Sequence, residues 1–283
     1  MNQLPKVCVI GGMNLDILAS PDRPLILRDS NIGHVCLRPG GVGRNIAAML
    51  SRFGCGVSLL TVLGTGEMAD FLYSSCRNEK IDLSMSIVTD EQPCVYMALH
   101  DSTGDMHVAV NDMAAMSHLT PDVIIEKADI INTYDFCVID ANLSENVLIS
   151  IAENVKIPIV ADPVSTQKAK RFVPVLGKLF MIKPNLLEAQ TLTRETEPSL
   201  CTKRLRESGV KNVFISLGKD GVYYDGGSER GVLPVENTVT SPQTGAGDAM
   251  LAGLIIAAYQ QKNVRECAEY GQKAAYTHLT KYV

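Results

Sequence analysis

Short β-rich runs alternate with helical patterns along most of this chain, and this alternation constrains its fold more than any other feature. Four of the β-rich runs lie at 7–12, 57–63, 136–140 and 157–162. Helical patterns are expected at about 43–53, at about 67–78 and after Ser144. Such alternation is typical of parallel strands joined by crossover helices, which cover the sheet. The sequence therefore predicts an α/β fold with a mostly parallel central sheet and helices on both of its faces.

Two stretches, about 15–38 and 94–112, depart from this alternation. The first has two apolar runs with no helix between them, and the second has two β-rich runs joined by the turn sequence DSTGD. Strands that leave a parallel sheet and pair with each other would form a small β-sheet lid over a ligand. Exposed strands of such a lid could also pair between two copies, giving a homodimer. Since no linker or repeat divides the chain, we expect a single domain spanning residues 1–283.

Composition limits the partners of this chain. Its formal net charge of −5 disfavours DNA and RNA, which bind basic surfaces. No apolar run approaches the roughly 18 residues that a membrane span requires, and the apolar run near the amino end is too short for a signal peptide. The eight cysteines and five histidines are too widely spaced for a metal-binding motif. We therefore expect a cytoplasmic protein that binds a small molecule, with no nucleic acid and no membrane partner.

The stretch TGAGDAM, residues 244–250, leads into a long uncharged helix-forming run. Gly245 and Gly247 allow the backbone to turn tightly and to approach a ligand. The free N–H groups of the first helical turn, together with the helix dipole, form a site for an anion. Asp248 in that turn could simply stabilise the helix start. Alternatively, it could act on a hydroxyl group that approaches the bound anion, which is the arrangement that phosphoryl transfer needs.

Together with GGMNLD at 11–16 and PGGVGRNIA at 39–47, TGAGDAM resembles the motifs of the ribokinase-like, or PfkB, family of carbohydrate and nucleoside kinases. The similarity extends from residue 7 to about 280, and the strand, lid segments, Gly-Gly loop and GAGD helix follow in the same order. The resemblance implies a ribokinase-like fold with a β-sheet lid. It also implies that Asp248 is the catalytic base and that the backbone amides of Gly245, Ala246 and Gly247 hold the migrating phosphoryl group.

Other segments are similar to the pseudouridine kinases within this family. They are DSTGDMHVAVNDM at 101–113, ADPVSTQKAKR at 161–171, IKPNLLEAQTL at 182–192 and LGKDGVYY at 217–224. The narrower resemblance implies transfer of the γ-phosphate of ATP to the 5′-hydroxyl of pseudouridine. Ribose, fructose and adenosine are the alternative substrates within the family.

The resemblance assigns the ribose to two loops. Asn14 and Asp16 follow the first strand, where open α/β sheets bind ligands, and a carboxylate there can accept hydrogen bonds from two ribose hydroxyls. The second loop would contribute close backbone and an amide side chain through Gly40, Gly41, Gly43 and Asn45. As residue types alone, Asn14 and Asp16 are more often turn formers, and a tight loop that enters a helix explains the glycines equally well.

Four residues are candidates for binding the base: Asn111, Asp112, Ser165 and Lys168. The first two end the second lid segment, and the others follow the run at 157–162. Uracil presents alternating hydrogen-bond donors and acceptors, which amide, hydroxyl and ammonium groups can satisfy. We expect Asn111 and Lys168 to recognise the base, although Lys168 is equally typical of a solvated helix position.

The nucleotide side of the predicted site begins with Asn185 and Glu188, which form NxxE at a helix start. A capping box explains this pattern without any ligand. The resemblance places it near Mg²⁺ and the phosphates, with Glu188 acting through water, and implies ATP contacts at Ser216, Gly218, Gly221 and Thr244. Family members usually continue past the position of Val283 with a segment that completes the adenine pocket and a monovalent-cation site. The expected cofactor is therefore Mg²⁺ with ATP as co-substrate, whereas the adenine contacts and a requirement for K⁺ stay open.

GTGEMA at 64–69 offers a competing interpretation, a dinucleotide-binding oxidoreductase. The segment follows a β-rich run and opens a helix, as the GxGxxA fingerprint requires. However, Glu67 would lie in the first turn, where its charge would repel a pyrophosphate. The oxidoreductase also leaves the GAGD and GGVGRN segments unexplained.

Overall fold

The computed structural model describes residues 4–235 and 245–281. The strands in chain order are β1 Lys6–Ile10, β2 Asn14–Pro21, β3 Gly33–Gly40, β4 Gly56–Leu60, β5 Val62–Leu63, β6 Ile87–Val88, β7 Val95–His100, β8 Met106–Asp112, β9 Phe136–Asp140, β10 Ile159–Asp162, β11 Leu179–Ile182, β12 Asn212–Ser216, β13 Val222–Asp225 and β14 Arg230–Leu233. The helices are α1 Val42–Arg52, α2 Glu67–Asn78, α3 Pro121–Ile131, α4 Glu145–Asn154, α5 Thr166–Ala169, α6 Leu186–Thr193, α7 Pro198–Glu207, α8 Ala246–Tyr259 and α9 Val264–Lys281.

The central sheet has the strand order β14-β13-β12-β11-β10-β9-β1-β4. Six neighbouring strands of this sheet are parallel, namely β4, β1, β9, β10, β11 and β12. The last two strands, β13 and β14, are antiparallel to their neighbours. Every residue of β9 and β10 is buried, as expected for parallel strands covered on both faces. Because parallel strands end at the same edge, the loops that follow β1, β9, β10 and β11 are neighbours there.

Helices cover both faces of this sheet and divide the core into two apolar clusters. Val7 and Val9 of β1 belong to a cluster with α1, α2, α8 and α9. Cys8 and Ile10, which alternate with them, belong to a cluster with α3, α4, α6 and α7. The two-residue period of the strand therefore supplies both layers from one segment.

The smaller sheet has the order β3-β2-β7-β8 and forms the lid. Asp16, Tyr96 and Asn111 are partners in register on β2, β7 and β8 and so share one face. The neighbouring positions in each strand point to the opposite face. Since β1 ends at Ile10 and β2 begins at Asn14, the lid starts directly at the edge where β1 ends.

The predicted α/β class, the helices on both faces and the small lid sheet are confirmed. The β-rich run predicted at 57–63 is divided into β4 and β5, because the chain turns away at Thr61 and β5 pairs with β6 instead of the central sheet. Thr61 remains satisfied, since its N–H donates to Ser86 Oγ at 3.2 Å and its carbonyl accepts from the Ile87 N–H at 2.9 Å. Within the described ranges, no helix is both long and apolar enough to span a bilayer.

Candidate active site

The first turn of α8 carries the GAGD sequence. Gly245 precedes the helix with a φ of 81°, a left-handed conformation that favours glycine, and a Cβ there would lie 2.7 Å from His278 Nε2. The N–H groups of the first turn have no intrahelical partner and point away from the helix along its positive dipole end. This terminus can therefore hold an anion such as a phosphoryl group. The rest of α8 is mostly buried and apolar, and it packs against α1 and α9, which places this terminus against the core.

Asp248 lies in this first turn, among charges contributed by three other segments. Burial, and to a smaller extent the Asp162 carboxylate, raise the pKa of its carboxyl from 3.8 to about 7. Lys183, Arg44 and a hydrogen bond from Asn45 act in the opposite direction. A carboxyl whose pKa is near 7 is well matched to accept a hydroxyl proton at neutral pH. The position and the acidity of Asp248 both suit a general base.

The loop between β3 and α1 connects Asp248 to the lid. The buried Arg44 guanidinium donates to the Pro39 carbonyl and to Asn45 Oδ1, which fixes the loop against the start of α1. Asn45 in turn donates to Asp248. The predicted Gly-Gly loop thus contacts the predicted base, and Arg44 is a site residue that was not predicted.

Asp16 belongs to β2, and its carboxylate lies beside Gly40, where this loop begins. Asn14 Nδ2 donates to Asp16 Oδ1 at 2.5 Å, and burial raises the pKa of the Asp16 carboxyl while Asn14 and Arg44 lower it. A side chain at Gly40 would collide with the Asp16 carboxylate, and one at Gly41, where φ is 92°, would collide with the Gly12 carbonyl. Glycine is therefore required here for close approach. A carboxylate such as that of Asp16 can accept hydrogen bonds from both hydroxyls of a vicinal diol.

Asp140, at the end of β9, joins the two glycine loops and was missed by sequence reasoning. Its Oδ2 accepts hydrogen bonds from the N–H groups of Gly12 at 3.0 Å and Gly43 at 2.8 Å. The Asn142 N–H donates to Oδ1, and Asn142 Nδ2 donates to Oδ2, both at 2.9 Å. Burial raises the pKa of Asp140, and these donors oppose that rise. An acid at a strand end is common, so only the fold reveals which loops it joins.

Asn142 extends this network to the residues predicted to bind the base. Its Oδ1 accepts a hydrogen bond from Lys168 Nζ at 2.6 Å, and burial lowers the pKa of Lys168. Lys168 is therefore held at the site rather than freely solvated. Both Lys168 and Asp112 act electrostatically on the Cys94 thiol at the start of β7, so α5 and the end of the lid strand β8 approach the same point. Asn111, exposed on β8, shares the face of Asp16.

Ser165 is positioned by a strained turn. Val164 has a φ of 65°, which is rare for a β-branched residue, and its N–H donates to Asp162 Oδ1 at 2.9 Å. The Ser165 N–H then donates to the Pro163 carbonyl at 2.6 Å, and Ser165 forms the N-cap of α5. These hydrogen bonds hold the strained turn, which follows β10 and leads into α5 with Ser165 and Lys168.

A cavity of about 480 Å³ lies on the other side of the α8 terminus. Its lining includes the predicted nucleotide residues Asn185, Ser216, Gly218 and Gly221 together with Ala246 and Gly247. Gly218 and Gly221 form the turn between β12 and β13, as expected, with φ values of 61° and 101°. A further wall comes from α9, which contributes Gln272, Ala275, Tyr276 and Leu279, and the rest of the lining is Lys219, Val235 and Met250. These α9 residues were not predicted, and Thr244 lies outside the described residues.

The NxxE segment is a complete capping box at the start of α6. The Glu188 N–H donates to Asn185 Oδ1 at 2.9 Å, and the Asn185 N–H donates to Glu188 Oε2 at 2.8 Å. Burial raises the pKa of Glu188, whereas Lys183 lowers it. In the described part of the chain no three His, Cys, Asp or Glu side chains are close enough to hold a metal ion. Mg²⁺ usually keeps waters and binds substrate phosphates, so Glu188 fits a contact through water.

Sequence comparisons agree with this geometry. A profile of the pfkB family of carbohydrate kinases matches residues 4–282. The pseudouridine kinase of Escherichia coli strain K12 is 33% identical over 264 residues, which cover 90% of this chain and 84% of that relative. The ribokinase of Staphylococcus aureus strain COL is 25% identical, covering 98% of this chain and 94% of the relative.

Structural comparison gives the same result for the fold. A solved ribokinase from Thermotoga maritima superposes with a TM-score of 0.87 and 21% identity, covering 99% of this chain and 94% of that chain. The dinucleotide-binding interpretation of GTGEMA receives no support, because α2 begins with the two acids Glu67 and Asp70 in its first turn. The chain therefore belongs to the pfkB family of carbohydrate kinases.

Proposed function

We propose that this protein is an ATP-dependent pseudouridine kinase that transfers the γ-phosphate to the nucleoside 5′-hydroxyl. The observation that carries the proposal is the position of Asp248, at a helix terminus suited to a phosphoryl group and in contact with the loop that borders Asp16. In this proposal the start of α8 lies between the residues that bind the sugar and the cavity that binds the nucleotide. The two substrates would meet at this terminus.

In this mechanism the residues of the chain mainly position the reactants. Asp16 accepts hydrogen bonds from two ribose hydroxyls and aims the 5′-hydroxyl at Asp248. The terminus of α8 binds the charge on the transferred phosphoryl group, which raises the rate because that charge is spread over its oxygens in the transition state. Asp248 takes the hydroxyl proton late, as a base of modest strength can in a loose transition state. Mg²⁺ bound to the phosphates, reached from Glu188 through water, would neutralise part of their charge.

Pseudouridine, rather than free ribose, is supported by the groups beyond the sugar. Lys168 presents donors from an ammonium group that Asn142 holds in place, and Asn111 adds both a donor and an acceptor from the lid. Such groups would be left unpaired by a substrate without a base, and unpaired polar groups discriminate strongly. The 33% identity to a pseudouridine kinase agrees with this choice.

Several broader expectations belong to this proposal. A cytoplasmic location agrees with eight cysteines that are all free thiols, seven of them buried. Exposed lid strands could also pair between two copies of the chain, and a requirement for K⁺ stays open.

An ADP-release assay with MgATP and a panel of pseudouridine, uridine, adenosine, fructose and ribose tests the substrate. We expect pseudouridine to give the highest kcat/KM. A ribokinase is the second candidate, because the Asp16 site suits any ribose and a ribokinase is 25% identical over nearly the whole chain. A higher kcat/KM for ribose or adenosine than for pseudouridine would overturn the proposed specificity, and the absence of ADP release with every acceptor would overturn the kinase.

A further inference from the structure

Lys183 is a buried cation at the edge of the sheet that none of the predicted roles includes. It follows β11 and precedes the Pro184-Asn185 entry to α6, and only 6% of its surface is exposed. Its Nζ lies 3.2 Å from Asp162 Oδ2, and both side chains are almost fully enclosed. The ion pair with Asp162 alone would be enough to explain why Lys183 is buried.

The ammonium group of Lys183 also lies close to the first turn of α8. A Cβ built at Gly247 would lie 3.4 Å from Lys183 Nζ. The positive end of a helix dipole repels a cation, so a structural lysine is disfavoured at this place. The position is favourable when negative charge gathers there, and phosphoryl transfer brings such charge to the terminus.

Three carboxylates surround Lys183, namely Asp162, Asp248 and Glu188. All three favour its charged form, so the pKa of Lys183 is raised even though burial, the largest influence, acts to lower it. Around Asp248, the facing groups are Asp162 at the end of β10, Lys183 at the end of β11, and Arg44 and Asn45 on α1. Among the described residues, Lys183 and Arg44 are the cations that lower the pKa of Asp248. Lys183 also lies beside Gly247 of α8.

We propose that Lys183 is a positioning residue for phosphoryl transfer, whose ammonium group places positive charge beside Asp248 at the terminus of α8. This inference rests on the proposed kinase function. In the step, the O5′–Pγ bond forms while the bond from Pγ to the β–γ bridging oxygen breaks, and ADP leaves with that electron pair. The hydroxyl proton passes to Asp248. Lys183 exchanges no proton.

The pH dependence of kcat/KM distinguishes this role from a purely structural one. Without the ammonium group, Asp248 should need a higher pH to ionise. The acid limb of the pH profile of kcat/KM should therefore lie at a pH higher by about one unit or more in Lys183→Met than in the wild type. Lys183→Arg keeps the charge and should retain the wild-type limb. Arg206→Met is the matched control, because it removes a cation paired with the buried Asp225 at 3.8 Å, away from the cavity lining. It should lower Tm without moving the limb.

A titration of the Asp248 carboxyl carbon by ¹³C NMR, assigned with Asp248→Asn, tests the same inference in the ligand-free protein. The titration midpoint should be higher in Lys183→Met than in wild type. If Lys183→Met does not fold, Asp162→Asn combined with Lys183→Met removes both members of the pair and is compared with Asp162→Asn alone. An unchanged midpoint and an unchanged acid limb would overturn the inference, whatever the loss in Tm. Because the NMR midpoint needs no substrate, failure of the pseudouridine assay with a shifted midpoint would overturn only the proposed function.

Discussion

Replacement of Asp248 by Asn should stabilise the protein above neutral pH while removing most of its activity. Burial raises the pKa of the Asp248 carboxyl from 3.8 to about 7 in the folded protein. An acid whose pKa is higher in the folded state than in the unfolded chain keeps its proton longer when folded, so stability falls as pH rises from about 4 to about 7. Asn does not ionise, so the stability of the variant should not fall for this reason as the pH rises.

The size of the effect follows from the pKa difference. About three pH units at about 1.4 kcal/mol each correspond to about 4 kcal/mol of unfolding free energy, lost by the wild type once Asp248 is ionised. About 3 kcal/mol of this loss falls between pH 5 and pH 8. For a chain of this size that difference corresponds to about 5–10 °C in Tm.

Urea or thermal unfolding of both proteins at pH 5 and pH 8 measures this difference. The advantage of Asp248→Asn over wild type should grow by about 3 kcal/mol between the two pH values. Asp122→Asn is a matched control, because Asp122 is an exposed acid in the first turn of α3, and its effect should not change with pH in this way. An Asp248→Asn advantage that is the same at both pH values would refute the reasoning that the site raises the pKa of this carboxyl.

Three further substitutions test separately the contact to the sugar, the glycine loop and the recognition of the nucleobase. Asp16→Ala should raise both the Kd and the KM for the nucleoside more than it lowers kcat, and calorimetry showing an unchanged Kd would argue against a ribose contact. Gly40→Ala should weaken nucleoside binding because its methyl group would displace the Asp16 carboxylate, whereas Gly56→Ala, at another strand position without a positive φ where the Cβ would meet only the Lys6 side chain at 3.6 Å, is the matched control. Lys168→Met should reduce the kcat/KM preference for pseudouridine over ribose while ribose turnover changes little; an unaltered preference would remove Lys168 from base recognition.

Much of the fold could be predicted because local patterns and tertiary structure agree. The strand at 136–140 and the helix at 67–78 have the predicted bounds, and the predicted Asn185 capping box is complete. The division of 57–63 into β4 and β5 could not be predicted, because a continuous apolar run gives no sign of where a strand leaves its sheet. That boundary depends on Ser86, which is distant in sequence.

Some residues of the candidate site could likewise be predicted from the sequence, and others could not. Asp16, Asp248 and the glycine loops lie in motifs with distinctive spacing, so the sequence alone was sufficient to single them out. Asp140 and Lys183 lie at strand ends, where acids and lysines are common, and their roles depend on contacts with loops about 100 or more and about 60 residues away in sequence. The nucleotide wall supplied by α9 was also missed, because Gln272 and Tyr276 resemble ordinary positions on a surface helix. Such residues become candidates only when the fold places them together.

The central claim is that Asp248 receives the proton of a nucleoside 5′-hydroxyl that attacks a phosphoryl group held by the start of α8. Mass spectrometry and ³¹P NMR of the product from pseudouridine and MgATP, with kcat measured for wild type and Asp248→Asn, test it most directly. We expect pseudouridine 5′-phosphate from the wild type and a kcat lower by about 10²–10⁴ in the variant, with nearly unchanged nucleoside affinity. Phosphorylation at a different hydroxyl, or wild-type turnover by Asp248→Asn, would contradict it.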